Sequence, residues 1–358
     1  MKLRKFALIV FSLIIVIASC TPDDDGTTTV PARDKTEVYA EDLLEIETFL
    51  ETHFYNYDGL NGFDFTNPYS TANDDFKIVF TALSEDTSKT PIMDRPELKF
   101  KMVEDPSEEG LFYKMYYLEV RQGLGDEVHF IDEAFVTYEG STTEGLVFDD
   151  AINITNFELT SVLNGGVVTG FKEALIEFKT ATSFDPVGDG TDAYHNHGIG
   201  AAFLPSGLAY FNQVLEDVTS YTPLIFKFNV FDRVLLDHDS DGIPSFLEDL
   251  NGDSDVLDDD TNEDTAPNLF DGDDDGDGIN TIDEIESKSY TLDDAGMPFT
   301  LREDAQFFFD NSTQIASDEV LIDIDYSNSN GTFTLITFRA LDSNGNGTPD
   351  YLDETYPE

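Results

Sequence analysis

The 358-residue sequence predicts an α+β fold, and three observations carry that prediction. From Val38 to Phe54 the residues Leu43, Ile46, Leu50 and Phe54 recur at three- and four-residue steps, with acidic residues on the opposite face, as in a short amphipathic docking helix. The stretches LKFKMV at 98–103 and FYKMYYLEVRQG at 112–123 are rich in aromatic and β-branched residues with partial alternation, and read as strands that begin a sheet. Far downstream, VLIDIDYS and TFTLITFRA flank Asn328-Ser329-Asn330-Gly331, the composition of a β-hairpin within a small β module.

The two ends and the charge bound the function. With 19 Lys and Arg against 74 Asp and Glu, the net charge is −55. Such a chain repels nucleic acid, which therefore is not an expected partner, and attracts multivalent cations. Lys2, Arg4 and Lys5 precede an apolar run from Phe6 to Ala18 that is too short to span a bilayer comfortably, so residues 1–19 read as a signal peptide. The run ends in Ile17-Ala18-Ser19-Cys20, which resembles a bacterial lipobox. That resemblance implies cleavage before Cys20 and its acylation, hence a lipid anchor. Cys20 is the only cysteine, which excludes an internal disulfide. Residues 20–37 begin Thr21-Pro22-Asp23-Asp24-Asp25 and read as a flexible acidic tether. The acidic residues after the cysteine resemble an export signal toward the outer face of the outer membrane, so the expected location is the cell envelope, facing the periplasm or the surface. Residues 38–97 form a helical and irregular N-terminal segment, of which 55–95 yield no element from the sequence.

Three further stretches share an apolar, aromatic character: VTYEGSTTEGLVFDD at 136–150, GGVVTGFKEAL at 165–175 and FLPSGLAY at 203–210, followed by YTPLIFKFNVFD at 221–232. One phenol and one carboxylate stand among them. Their order, spacing and residue types resemble FKBP-type peptidyl-prolyl cis-trans isomerases. The resemblance implies an antiparallel sheet wrapped on a short helix over about 98–232. It also implies aromatic walls at Tyr138, Phe148 and Phe157, and a pocket aspartate at Asp149. Val167 and Val168 match the pair whose amides bind ligand carbonyls, and Tyr210 the phenol that donates to a substrate carbonyl. Val218 and Phe226 would close the far side, with Gly145 in the turn before Val147. Two positions depart from the family pattern: Phe171 stands where a tryptophan usually forms the floor, and Phe211 where a glycine usually follows the phenol. The chain from Ala174 to Phe203 is also longer than a minimal domain, with SFDPVGDGTDAYHNHGIG at 183–200 as an apparent insertion. His195 and His197 in that insertion lack a clear third ligand and read as residues of a solvated loop.

The chemistry such a pocket would perform needs no nucleophile, metal or cofactor. Rotation about a peptide bond faces a barrier of roughly 18–20 kcal/mol because of amide resonance. Before proline both isomers are populated, yet exchange takes tens of seconds or more. Amide resonance is dipolar, so a dry pocket that grips proline and fixes a neighbouring carbonyl favours the twisted state. The expected clients are proline-containing polypeptides of the envelope.

Between Arg233 and Lys288 there is no lysine or arginine, while carboxylates come at two-residue steps. Asp237, Asp239, Asp241, Gly242 and Glu248 fit the twelve-residue calcium-loop pattern, and Asp273, Asp275, Asp277, Gly278 and Glu284 fit it again. Asp342, Asn344, Asn346, Gly347 and Asp353 form a weaker third copy within 342–358, and less regular steps lie at Asp249/Asn251/Asp253/Asp255 and Asp258/Asp260/Asn262/Asp264. Long flanking helices are not indicated. The array over 233–288 is similar to thrombospondin type 3 repeats, without their paired cysteines, which implies structural Ca2+ along an extended loop array. Residues 289–341 carry the β module. Two competing readings stand beside the isomerase: a peptide-binding module without useful turnover, and a calcium-rigidified adhesin or stalk.

Overall fold

In a computed structural model, the structure describes residues 31–59, 61–160, 167–188, 191–327 and 329–356. The signal segment, Cys20 and the first part of the tether lie outside the described residues. None of the described helices is long and apolar enough to cross a membrane.

Helix α1 spans Lys35–Thr52, three residues earlier than the apolar spacing alone indicates. Asp34 caps it by accepting from the Glu37 amide at 3.0 Å, and Lys35 is held by Asp105 at 2.6 Å, so the first turn is fixed at both ends. Val38, Ile46, Phe49 and Leu50 bury one face. Phe54 is not on the helix but in strand β1 (His53–Tyr55), which pairs with β2 (Phe80–Ala82). One acidic residue also departs from the expected solvent face. Asp42 is 3% exposed and accepts from the Ser206 amide and hydroxyl at 2.7 and 2.6 Å. Burial pushes its pKa up to about 6 despite those bonds.

The central sheet contains β3 (Leu98–Asp105), β4 (Glu108–Arg121), β5 (Glu133–Thr142), β6 (Val147–Glu158), β9 (Gly198–Leu204) and β10 (Leu224–Val234). Its order is β3-β4-β9-β10-β5-β6, antiparallel throughout. Between β6 and β9 come α2 (Thr169–Leu175) and the small hairpin β7 (Ser183–Pro186) and β8 (Asp192–His195). The α+β class predicted from sequence holds, with the short α2 packed against the sheet.

Every residue of β9 is buried, because each face of the sheet carries a core of its own. On one face Phe171, Ala174 and Leu175 of α2 meet Val136, Phe226 and Phe228. On the other, Ile46, Phe49 and Leu50 of α1, with Tyr55, Phe63, Phe76 and Ile92, meet Tyr116, Phe203 and Ile225. The segment that gave no element from sequence is thus the cover of the second face. Its cohesion comes from aromatic pairs and from Arg95, which lies 4.1 Å from the Tyr57 ring and pairs with Glu97 at 2.9 Å. Such contacts leave no periodicity to read. Within β9, a Cβ on Gly200 would stand 2.2 Å from the Phe178 ring, so only glycine lets that ring lie on the strand.

The C-terminal module is a three-stranded sheet, β11 (Ile285–Tyr290), β13 (Thr332–Ala340) and β12 (Glu319–Ser327) in that order, with α3 (Arg302–Asn311) packed on it. The hairpin was legible; β11, with the sequence IESKSY, lacked a strand signature and straddles the boundary between the stretch read as acidic ladder, which ends at 288, and the β module. Ile243 of the acidic loops joins Ile285, Phe338 and Tyr351 in one apolar cluster, so the loops and this module share a core.

Candidate functional site

The residues of the three apolar stretches converge on one face of the sheet. Tyr138 projects from β5, Phe148, Asp149 and Phe157 from β6, Phe226 from β10, and Phe171 from α2. Phe171 and Phe226 are 2% and 4% exposed and lie nearly parallel, centroids 4.8 Å apart, as a floor. Tyr138 packs against Phe157 at 5.5 Å and Phe171 at 5.8 Å, and Phe148 stands edge-on to Phe226 at 5.7 Å. Tyr210 faces Phe148 at 6.4 Å from the loop after β9, and the buried Val218 belongs to the same cluster. Val167 and Val168 are half-buried against it where the chain enters α2, and the Val168 carbonyl accepts from the Phe171 amide at 2.9 Å.

The polar pair sits at the rim. The Tyr138 hydroxyl donates to Asp149 Oδ2 at 2.7 Å, a diagonal contact made possible by the register in which Gly140 pairs with Asp149. Burial, then the bonded carboxylate, raises the Tyr138 pKa; burial, then the charge of Asp149, raises that of Tyr210. Both phenols therefore remain protonated donors at neutral pH. Among the described residues no hydrogen bond is made by the Tyr210 hydroxyl.

Sequence reasoning missed Gly140. A Cβ there would lie 2.7 Å from the Phe148 ring and 3.0 Å from the Phe226 ring. The available signal was a glycine inside an aromatic strand. Phe211 adopts φ 45°, a backbone region that favours glycine, and its ring rests on Tyr221 at 5.1 Å.

A cavity of about 830 Å³ lies on the other face of the same strands, lined by Glu139, Lys227, Phe231, Asp74, Tyr194 and the two histidines of the insertion. These histidines are not in a solvated loop. His195 bridges Asp74 at 2.9 Å and Asp185 at 3.1 Å, bonds that raise its pKa. His197 is 1% exposed beside Phe231, and burial lowers its pKa to about 3. A histidine kept neutral in the fold but charged when unfolded destabilises the fold as pH drops below its ordinary 6.5. On this basis His197→Phe is expected to gain about 2 kcal/mol relative to the parent chain between pH 7 and pH 5. Urea unfolding at the two pH values measures it, and a pH-independent difference would refute the assignment.

In the acidic region the structure finds five loops with one backbone pattern, where the sequence offered three regular copies and two less regular steps. They begin at Asp237, Asp249, Asp260, Asp273 and Asp342. In each, the sixth residue has positive φ: Gly242 97°, Ser254 68°, Thr265 86°, Gly278 97° and Gly347 94°. The amide of that residue donates to the first aspartate at 2.9–3.2 Å. The fifth amide donates to the third side chain, and the seventh to the fifth. The irregular step at Asp258 thus resolves into a loop starting at Asp260, which is also the twelfth residue of the loop before it.

The loops differ in how their carboxylates are satisfied. Asp239 Oδ2, Asp241 Oδ2, Asp273 Oδ1, Asp275 Oδ2, Asp277 Oδ2 and both oxygens of Glu248 and Glu284 are buried without a hydrogen-bond partner. Oxygens of Asp273, Asp275 and Asp277 lie within 4.8 Å of one another, a donor set that fits a hard cation. Asp237 instead spends its oxygens on the amides of Ser240 and Gly242. In the last loop the side-chain amides of Asn344 and Asn346 donate to Asp353 at 2.8 and 2.7 Å, saturating the carboxylate internally. The loops are seated against the segment that leads into β5: Phe246 stacks on His129 at 3.6 Å, and Val256 and Leu269 pack on Ile131.

The family model described as BamM C-terminal matches residues 238–314. No curated protein matches the chain. Among solved structures, the chain is similar to FkpA from Escherichia coli at 20% identity and a TM-score of 0.29, over 39% of this chain and 53% of that one. It is similar to a peptidyl-prolyl cis-trans isomerase from Pseudomonas syringae pv. tomato at 20% identity and a TM-score of 0.28, over 39% of this chain and 83% of that one. A wheat FKBP73 structure containing three FKBP domains matches at 12% identity and a TM-score of 0.28, over 38% of this chain and 51% of that one. The chain thus spans about half the length of FkpA.

Proposed function

We propose that this chain is an FKBP-type peptidyl-prolyl cis-trans isomerase acting on X-Pro bonds of exported or envelope proteins. The observation that carries the reading is the Tyr138–Asp149 hydrogen bond of 2.7 Å at the rim of a cup floored by Phe171 and Phe226. A proline ring resting on that floor would be walled by Tyr138, Phe148, Phe157 and Val218, and would lose its water. The Tyr210 hydroxyl would donate to a carbonyl beside the proline, and Val167 and Val168 would offer main-chain amides to the flanking peptide. Asp149 accepts from the Tyr138 hydroxyl and would face the altered dipole of the twisted amide. Catalysis on this account consists of desolvation and orientation, with no covalent step.

In a tetrapeptide-proline assay, Tyr210→Phe and Asp149→Ala are each expected to lower kcat/KM by about 2–10-fold, the equivalent of one hydrogen bond. Absence of wild-type turnover across several residues preceding proline would overturn the enzyme reading. One observation favours a peptide-binding module with weak turnover: Phe171 is 2% exposed, so the floor is largely covered by its own walls. Peptide binding without rate enhancement would select that alternative.

The acidic loops on this reading hold structural Ca2+ through Asp239, Asp241, Glu248, Asp273, Asp275, Asp277 and Glu284, supported by the unpartnered buried oxygens. Acylated Cys20 would tether the chain to the outer membrane, a reading that rests on the lipobox-like sequence at 17–20.

A further inference from the structure

The twelve-residue pattern gives Asp274 no task, since it occupies the second position of its loop. Its main chain stays with that loop, the amide donating to Thr281 Oγ1 at 3.2 Å. Its side chain does not. The Asp274 carboxylate gathers with Asp239, Asp241 and Glu248 of the first loop, one oxygen from each within 4.8 Å of the others.

Asp274 is 1% exposed and Glu248 2%, and neither oxygen of either residue has a hydrogen-bond partner. Among the described residues no ion pair reaches any of the four carboxylates. Ile243, Ile285 and Tyr351 supply an apolar cluster beside them. Four carboxylates so placed, three of them buried, are strongly disfavoured when charged and unpaired. A bound cation removes that cost, whereas an exposed acidic face would have none to remove.

We propose that Asp239, Asp241, Glu248 and Asp274 jointly hold one hard divalent cation, so that Asp274 staples the loop at 273–284 back onto the loop at 237–248. The proposal rests on the cation-binding reading above and adds the ligand that ties separate loops together. The site is rich in carboxylates, which suits Ca2+ with its six to eight oxygen ligands better than Mg2+, which retains its waters. Closure between Glu248 and Asp274 turns the intervening residues into a cross-linked loop. Binding in the first loop therefore also orders the two loops strung between.

The test is calorimetric titration of the full chain with CaCl2 alone after chelation, comparing wild type, Asp274→Asn and Glu303→Gln, a charge-matched control on α3 outside the loops. Asp274→Asn is expected to weaken calcium binding at this site at least tenfold, and Glu303→Gln to leave it unchanged. Hydrogen exchange on the wild type gives a second reading that needs no variant. Amides at 238–243 and 273–275 are expected to gain protection at the same calcium concentration. Wild type that binds no calcium overturns the cation reading as a whole. Wild-type binding with an unchanged Asp274→Asn titration, or separate protection midpoints for the two segments, overturns only the role of Asp274.

Discussion

Chelation of divalent cations will open residues 237–284 to proteolysis while the six-stranded sheet stays resistant. The loops contain no lysine or arginine between Arg233 and Lys288, so nothing covalently present neutralises them. On the proposed cation reading, their cohesion depends on carboxylates that are buried without hydrogen-bond partners, Glu248 and Asp274 above all. Each site filled at a thousand times its Kd contributes about 4 kcal/mol. Without cations the like charges repel within a Debye length of about 8–10 Å. Protons can substitute in part. Burial and the neighbouring Asp239 push Glu248 up to about 9, and burial and Asp241 push Asp274 up to about 9. A carboxyl with a raised pKa in the fold contributes stability below its ordinary pKa, and that contribution disappears as pH rises through the raised value. The chelated protein should therefore be more compact near pH 5 than near pH 8, while the calcium-loaded protein should show little of that trend. Circular dichroism and limited proteolysis with calcium and with chelator measure both effects; identical profiles would remove the cation reading.

Phe171→Ala will destabilise the sheet domain by about 3–5 kcal/mol, the range for deleting a fully packed phenylalanine. Its ring touches four others: Phe226 at 4.8 Å, Phe228 at 5.7 Å, Tyr138 at 5.8 Å and Phe157 at 6.2 Å. The surrounding rings are held by three strands and cannot collapse into the gap without moving the sheet. Phe171→Leu should cost much less, because volume and apolarity are largely kept. The same deletion should abolish peptide binding, whereas Tyr210→Phe alters turnover and leaves unfolding nearly unchanged. Urea unfolding of the three variants separates floor from rim, and a Phe171→Ala protein as stable as its parent would show that the floor carries no packing energy.

What could be read from the residues follows from what each signal encodes. The α+β class was legible because α1, β3, β4, β12 and β13 carry period or composition of their own. The cup residues could be singled out together, since order and residue type survive in a linear string. Gly140 could not be assigned a task that way, because its meaning is the space it leaves for Phe148 and Phe226. Two of the five acidic loops were blurred because Ser254 and Thr265 adopt the positive φ that the pattern reserves for glycine. Asp274 was invisible for a different reason: a loop pattern describes contacts within the loop, and this side chain crosses to another. Asp42 and His197 misled for the same cause. An acid on a helix or a histidine in a polar stretch reads as solvated until the partner segment arrives, Ser206 in one case and Phe231 in the other.

The strand order has a kinetic consequence. β3 with β4 and β5 with β6 are local hairpins, but β9 and β10 insert between them as the middle of the sheet. The middle strands are the last of the six in the chain. β4 exposes a bare edge until residues up to Leu204 are present, and β5 until those up to Val234 are. Joining Tyr116 to Phe203 closes a contact across more than eighty residues, so the rate of sheet formation is set by loop closure rather than by hairpin speed. During that interval, the half-built sheet is itself in need of a partner that shields it.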